Sequence, residues 1–135
     1  MRQTKIINTL AMKLKIELEY TMNTSPRVIF PRLSTPGGLA EWFADNVNIK
    51  GKQYTFVWDN TEQRAEQAVV RENQMVRYEW LDEDEKTYFE FRLKTDELTG
   101  DQALMVTDFV NDGEKEDTIN LWDSQISRLK HAIGL

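Results

Sequence analysis

Three features of the sequence predict an α+β fold in which a curved antiparallel sheet of about six or seven strands closes around a long C-terminal helix. Apolar and polar residues alternate strictly over residues 13–22. Short alternating segments recur between Val47 and Val110, separated by turn signals. An apolar stripe at intervals of three and four residues runs from Ile119 to Ile133.

In the first segment Leu14, Ile16, Leu18, Tyr20 and Met22 point one way, and Lys13, Lys15, Glu17, Glu19 and Thr21 the other. This is a strand with one buried and one wet face, which favours an antiparallel sheet. Ser25-Pro26 then reads as a helix cap with proline at the first helical position. Val28, Ile29, Phe30 and Leu33 supply the apolar side of this helix, and Pro31 is expected to kink it or end it early. Thr35-Pro36 repeats the start signal for a second short helix carrying Leu39, Trp42 and Phe43, with Gly37 and Gly38 weakening its first turn.

Strands follow over 47–50, 53–58, 62–72, 75–81, 88–95 and 103–110. Their predicted inward residues are Tyr54, Phe56 and Trp58 on the second of these six segments and Ala68 and Val70 on the third. Val76, Tyr78 and Trp80 face inward on the fourth, Phe89, Phe91 and Leu93 on the fifth, and Leu104, Val106 and Asp108 on the last. Asp59-Asn60, Glu72-Asn73-Gln74 and the acidic run Asp82-Glu83-Asp84-Glu85 supply turns, and turns this short favour a meander of hairpins. The segment 114–135 is helical. Ile119, Trp122, Ile126, Leu129 and Ile133 form its buried stripe, and Asn120, Ser124, Ser127, Arg128 and His131 its wet side. Acidic residues near its start and basic residues near its end suit the helix dipole, and Gly134 is the expected stop. An amphipathic helix of this length needs a sheet face to cover, and a sheet of this many strands curls enough to hold it.

The length of 135 residues suits one domain over residues 13–135, preceded by a loose extension over 1–12. That extension starts basic, but Asn8 and Thr9 break its apolar run, so it lacks the pattern of a secretory signal. Met12 stands immediately before the first strand and is an alternative start of translation, which mass spectrometry of the native protein would decide. The chain has no cysteine, which removes disulfides, thiolate metal sites and cysteine nucleophiles and suits a reducing, cytoplasmic setting. The net charge of −6 repels phosphate backbones and anionic headgroups, so neither nucleic acid nor a membrane surface is an expected partner. No apolar run approaches the roughly 20 residues of a membrane helix.

The order of elements resembles the START-like, or SRPBCC, superfamily, which includes the birch pollen allergen fold and the heat-shock ATPase activator homologues. Three local pieces carry the resemblance. Thr35-Pro36 through Leu39, Trp42 and Phe43 looks like the second short helix of that family. Tyr78-Glu79-Trp80 looks like its central aromatic strand, and Leu121-Trp122 through Leu129 like its closing helix. The likeness spans roughly residues 14–135 and implies a helix-grip fold with a cavity between sheet and helix. The glycine-rich stretch usual after the second strand is reduced here to Gly51-Lys52, so anion binding at that turn is not expected. The family includes carriers, cyclases, dehydratases and co-chaperones, so the resemblance implies a container and not a reaction.

On the strand phases above, Phe56, Trp58, Tyr78, Trp80, Phe91 and Trp122 are the candidate cavity walls, completed by Val106, Asp108 and Ile126. Large flat side chains line ligand cavities well, though plain core packing is the readier account of any single one of them. Asp108 stands on an otherwise apolar face, where burial demands a partner or raises its pKa. Asp59 and Arg64 flank one turn and suggest a rim ion pair. His131 is the only histidine and lies on the wet side of its helix, so it offers neither a catalytic base nor a zinc cluster. The acidic run lacks the ligand spacing and glycine of a calcium loop and reads as a solvated hairpin tip. There is no nucleophile elbow, P-loop, dinucleotide fingerprint or HExxH.

The leading expectation is therefore non-catalytic binding of a small hydrophobic or amphipathic molecule, with no cofactor and no metal. An enzyme of the cyclase or dehydratase kind would use Asp108 as acid–base group with Tyr78 assisting. A co-chaperone-like interaction domain would show an exposed apolar patch beside Trp42 and Phe43, or a homodimer.

Overall fold

The computed structural model describes residues 13–135. The proposed extension over 1–12 and the alternative start at Met12 lie outside the described residues. Strand β1 (Leu14–Met22) is followed by helices α1 (Pro26–Ser34) and α2 (Pro36–Ala40). Six strands come next: β2 (Asn46–Lys50), β3 (Gln53–Trp58), β4 (Thr61–Arg71), β5 (Met75–Trp80), β6 (Tyr88–Thr95) and β7 (Gln102–Val110). Helix α3 (Lys115–Ala132) closes the chain.

All strand pairs are antiparallel, in the order β1-β7-β6-β5-β4-β3-β2. The six later strands are thus a meander, and β1 joins its far edge by pairing with β7 from Leu14↔Val110 to Met22↔Gln102. The predicted alternation of β1 holds, with Ile16 and Met22 buried and the charged residues between them exposed. The apolar stripe of α3 lies against the concave face: Trp122, Ile126 and Leu129 are buried, and Ile133 packs at the margin. Tyr20 Oη on β1 donates to Asp123 Oδ1 at 2.7 Å, fastening the outer strand to this helix. Burial and the neighbouring Asp123 carboxylate both raise the pKa of this phenol.

The structure corrects the expectation for β4. Gln67 pairs with Tyr78 and Val69 with Arg77, so a β-bulge at Ala68 adds one residue to the strand. A bulge shifts the two-residue alternation by one. Before it, Ala65 and Gln67 point inward, and Ala65 is fully buried. After it, Val70 lies opposite Val76 at the margin and is 48% exposed. Val70 thus keeps the inward face expected of it but stands at its exposed edge, whereas Ala68 falls at the bulge itself and buried Ala65 was not among the predicted inward residues.

Helix α1 also runs past Pro31 to Ser34. The proline removes one hydrogen bond, but three side chains from the rest of the core secure the end of the helix. Trp42 Nε1 donates to Arg32 O at 2.8 Å, Tyr78 Oη to Leu33 O at 2.8 Å and Tyr54 Oη to Ser34 O at 3.1 Å. Gln67 Nε2 lies 2.9 Å from Ser34 O and 3.1 Å from both phenol oxygens. These carbonyls have no partner within the helix, and burying them bare would cost about 1–3 kcal/mol each.

Gly38 explains the glycines of α2. A Cβ there would stand 2.1 Å from Pro31 O and 2.6 Å from Arg32 Cα, whereas one at Gly37 would meet nothing within 4 Å. The two short helices touch through backbone, which only glycine permits. Gly38→Ala should therefore cost about 2–3 kcal/mol in urea melts, while Gly37→Ala should stay within about 1 kcal/mol of wild type.

Candidate functional site

The turn after α2 delivers Phe43 to the centre of the molecule. It stacks on Phe89 (centroids 5.0 Å) and Trp122 (5.7 Å) and meets Phe56 and Trp58 edge-on at 5.1 and 5.4 Å. Its carbonyl accepts from Trp58 Nε1 at 2.8 Å and from buried Gln125 Nε2 at 3.0 Å. One residue thus ties β3, β6 and α3 together, and aromatic pairs of this kind add about 0.5–1.5 kcal/mol each.

Beside this hub lies a cavity of about 410 Å³ that opens to solvent between α3 and the β3–β4 turn. Its aromatic walls are Phe43, Trp58, Trp80, Phe89 and Trp122. Helix α3 contributes Thr118, Leu121, Gln125 and Arg128, a line one position beside its buried stripe. Asp45, Asp59, Gln63 and Asp108 add the remaining polar groups. At the rim, Asp45 Oδ2 accepts the Asp59 backbone N–H at 2.8 Å, holding the β3–β4 turn, where Asp59 has a φ of 45°.

Of the nine residues named from the sequence, Trp58, Trp80, Asp108 and Trp122 line this cavity. Phe56, Tyr78, Phe91, Val106 and Ile126 are packed in the core behind it. The wall residues outside that set are chiefly Phe43, Phe89, Leu121 and Gln125. Phe89 shares the alternation of Phe91, and Leu121 and Gln125 flank the helical stripe. Phe43 carried no signal for a cavity, because its place depends on how the two short helices fold back.

Asp108 is positioned by β7 and accepts two hydrogen bonds, from Trp122 Nε1 at 2.8 Å and from the Phe109 N–H at 2.7 Å. Burial raises its pKa above the ordinary 3.8; these bonds and Lys13 oppose the rise, and Glu83 adds to it. Tyr78, named above as its helper, donates its hydroxyl to Leu33 O and does not line the cavity. Burial raises that phenol well above its usual range.

Other expectations are corrected here. Arg64 pairs with Asp82, not Asp59. The acidic hairpin is partly tied down, because Glu83 binds Lys13 Nζ at 3.0 Å and Thr87 Oγ1 at 2.6 Å. Trp42 and Phe43 are themselves buried, at 1% and 3% exposure. His131 is exposed, as its helical position requires. Among the described residues no helix is long and apolar enough to cross a membrane.

A seven-stranded antiparallel sheet gripping a C-terminal helix, with a solvent-reaching aromatic cavity between them, defines the class of helix-grip domains. The chain belongs to the START-like superfamily: a family model described as a START-like superfamily domain matches residues 10–135. It is similar to a Bacteroides fragilis protein solved by solution NMR, with 40% identity over 90% of this chain and 91% of that one and a TM-score of 0.63. The Aha1 dimer from Colwellia psychrerythraea shares the fold at 19% identity, covering 89% of this chain and 96% of that one, with a TM-score of 0.73. A Mesorhizobium loti protein shares it at 15% identity, covering 87% and 95%, also with a TM-score of 0.73. No curated protein matches the sequence significantly.

A carboxyl whose pKa rises on folding adds stability below its unfolded-state pKa and loses that contribution as pH rises through the folded value. The stability difference between wild type and Asp108→Asn, from urea melts at acid to neutral pH, should therefore shift against wild type as pH climbs above 3.8.

Proposed function

We propose that this domain binds a small hydrophobic or amphipathic molecule, without catalysis, in the cavity between sheet and α3. The observation that carries this reading is the cavity itself. Its volume of about 410 Å³ falls in the roughly 300–1,000 Å³ range of small-molecule sites, and five aromatic side chains wall it beside a few polar groups. A packed interaction domain would have no use for such a space, which forfeits contacts. The absence of cysteine and the acidic surface support a cytoplasmic site of action.

Two observations weigh against the alternatives. The enzyme reading asked for Tyr78 beside Asp108, and Tyr78 is engaged at the end of α1. The co-chaperone reading asked for an exposed apolar patch beside Trp42 and Phe43, or a homodimer, and neither of these two residues adds exposed surface of its own. A homodimer like that of the Colwellia relative would revive the interaction reading, and sedimentation velocity reads it directly.

Isothermal titration with decanol, a neutral amphiphile, tests the binding reading. Saturable binding at one site is expected. Leu121→Ser should weaken it up to about tenfold by removing apolar wall, with a melting temperature close to wild type because Leu121 is 56% exposed. Absence of binding by any apolar probe, together with no species carried through purification in native mass spectrometry, would refute it.

A further inference from the structure

The charge of the cavity wall narrows the occupant. Three carboxylates line the space, Asp45, Asp59 and Asp108, against one cation, Arg128. The wall therefore carries a formal charge of about −2, inside a chain whose net charge is −6. Among the described residues no ion pair reaches these carboxylates, and the cation acting on Asp108 from outside the wall is Lys13, which is itself paired with Glu83. The ion pairs of the described residues join Lys13, Arg32, Arg64, Arg77, Arg92 and Lys94 to other acids, and none involves Asp45, Asp59 or Asp108.

Asp108 matters most, because it is the carboxylate set among the aromatic rings. Its two bonds, from an indole N–H and a backbone N–H, are neutral donors, and the pair leaves lone pairs on both oxygens. A partly buried carboxylate in that state is stabilised by a cation and repelled by a second anion. Aromatic walls act in the same sense: Trp58, Trp80 and Trp122 border the space, and indole rings attract ammonium groups. The single opposing group, Arg128, is exposed and stands at the helix end of the wall.

Resting on the binding reading above, we infer that the cavity selects cationic amphiphiles: a protonated amine with an apolar or aromatic body, seated with its ammonium toward Asp108. Fatty acids and other anionic amphiphiles are discriminated against. The inference concerns the charge of the ligand and is separable from whether the cavity binds at all.

Three probes of one chain length separate the two questions: decylamine, decanol and decanoate, titrated calorimetrically into the whole protein at low and high ionic strength. Decylamine is expected to bind about tenfold or more tighter than decanol, with decanoate weakest. Added salt should narrow the gap between the charged probes, because much of it is electrostatic. Asp108→Asn should reduce the amine's advantage over decanol. Because Asp108 anchors Trp122, Asp59→Asn serves as a second variant on the exposed rim, where asparagine tolerates the positive φ, and should lower the same ratio by a few fold. Arg128→Gln should move it the other way. Decanol binding with an amine no tighter than the alcohol, or decanoate binding tightest and losing that advantage in Arg128→Gln, overturns the charge inference and leaves the binding reading standing. Failure of all three probes, with no species retained in native mass spectrometry, overturns both.

Discussion

The C-terminal end of α1 is the constraint on which the rest of the structure depends. Three consecutive carbonyls, of Arg32, Leu33 and Ser34, emerge there into apolar surroundings. Each is met by a donor that travels from another part of the chain: an indole from the segment after α2, a phenol from β5, and a phenol from β3 joined by an amide from β4. A buried carbonyl without a donor costs more than a hydrogen bond returns. These donors therefore fix where the short helices sit against the concave face, and this is why the large polar-tipped side chains of the core are Tyr and Trp. With α1 seated and Gly38 allowing α2 to lie on it, the chain emerges with Phe43 aimed at the centre.

The cavity is a by-product of that placement. The two short helices cover one part of the sheet and α3 covers another, and Phe43 stands at the junction. Where the covers diverge, space remains beside Phe89, Trp80 and Trp122. Bonds from Trp58 and Gln125 to the Phe43 carbonyl hold the junction in place, so the aromatic walls are braced by the same network that builds the core. The polar contents of the cavity have a different origin. Asp45 and Asp59 meet at the rim, and Asp108 takes an inward position of β7 that regular alternation would fill with a hydrophobe.

The fold was legible because it rests on local periodicities. Alternation in β1, β5, β6 and β7 and the 3–4 spacing of α3 placed their buried faces correctly, and the element order did the rest. What escaped depended on contacts between distant segments. The bulge at Ala68 changes phase without any glycine or proline to announce it. Pro31 is accommodated because remote side chains secure the carbonyls beyond it. For the cavity, alternation could say which residues face inward but not which of them border space. That is why Phe56 and Trp58, two residues apart on one strand, differ: one is fully buried and the other stands at the wall. On the convex face, Glu90 is buried between Arg77 and Arg92, an ion cluster that side-chain alternation alone describes as a wet surface.

Of the four tryptophans in the chain, Trp58, Trp80 and Trp122 border the cavity, and Trp42 is sealed in the core at 1% exposure. Indole emission responds to the polarity and charge around the ring, and here three of the four indoles stand at one wall of one space. The domain therefore carries a built-in optical gauge, in which Trp42 supplies a constant background and the other three register whatever enters beside Asp108.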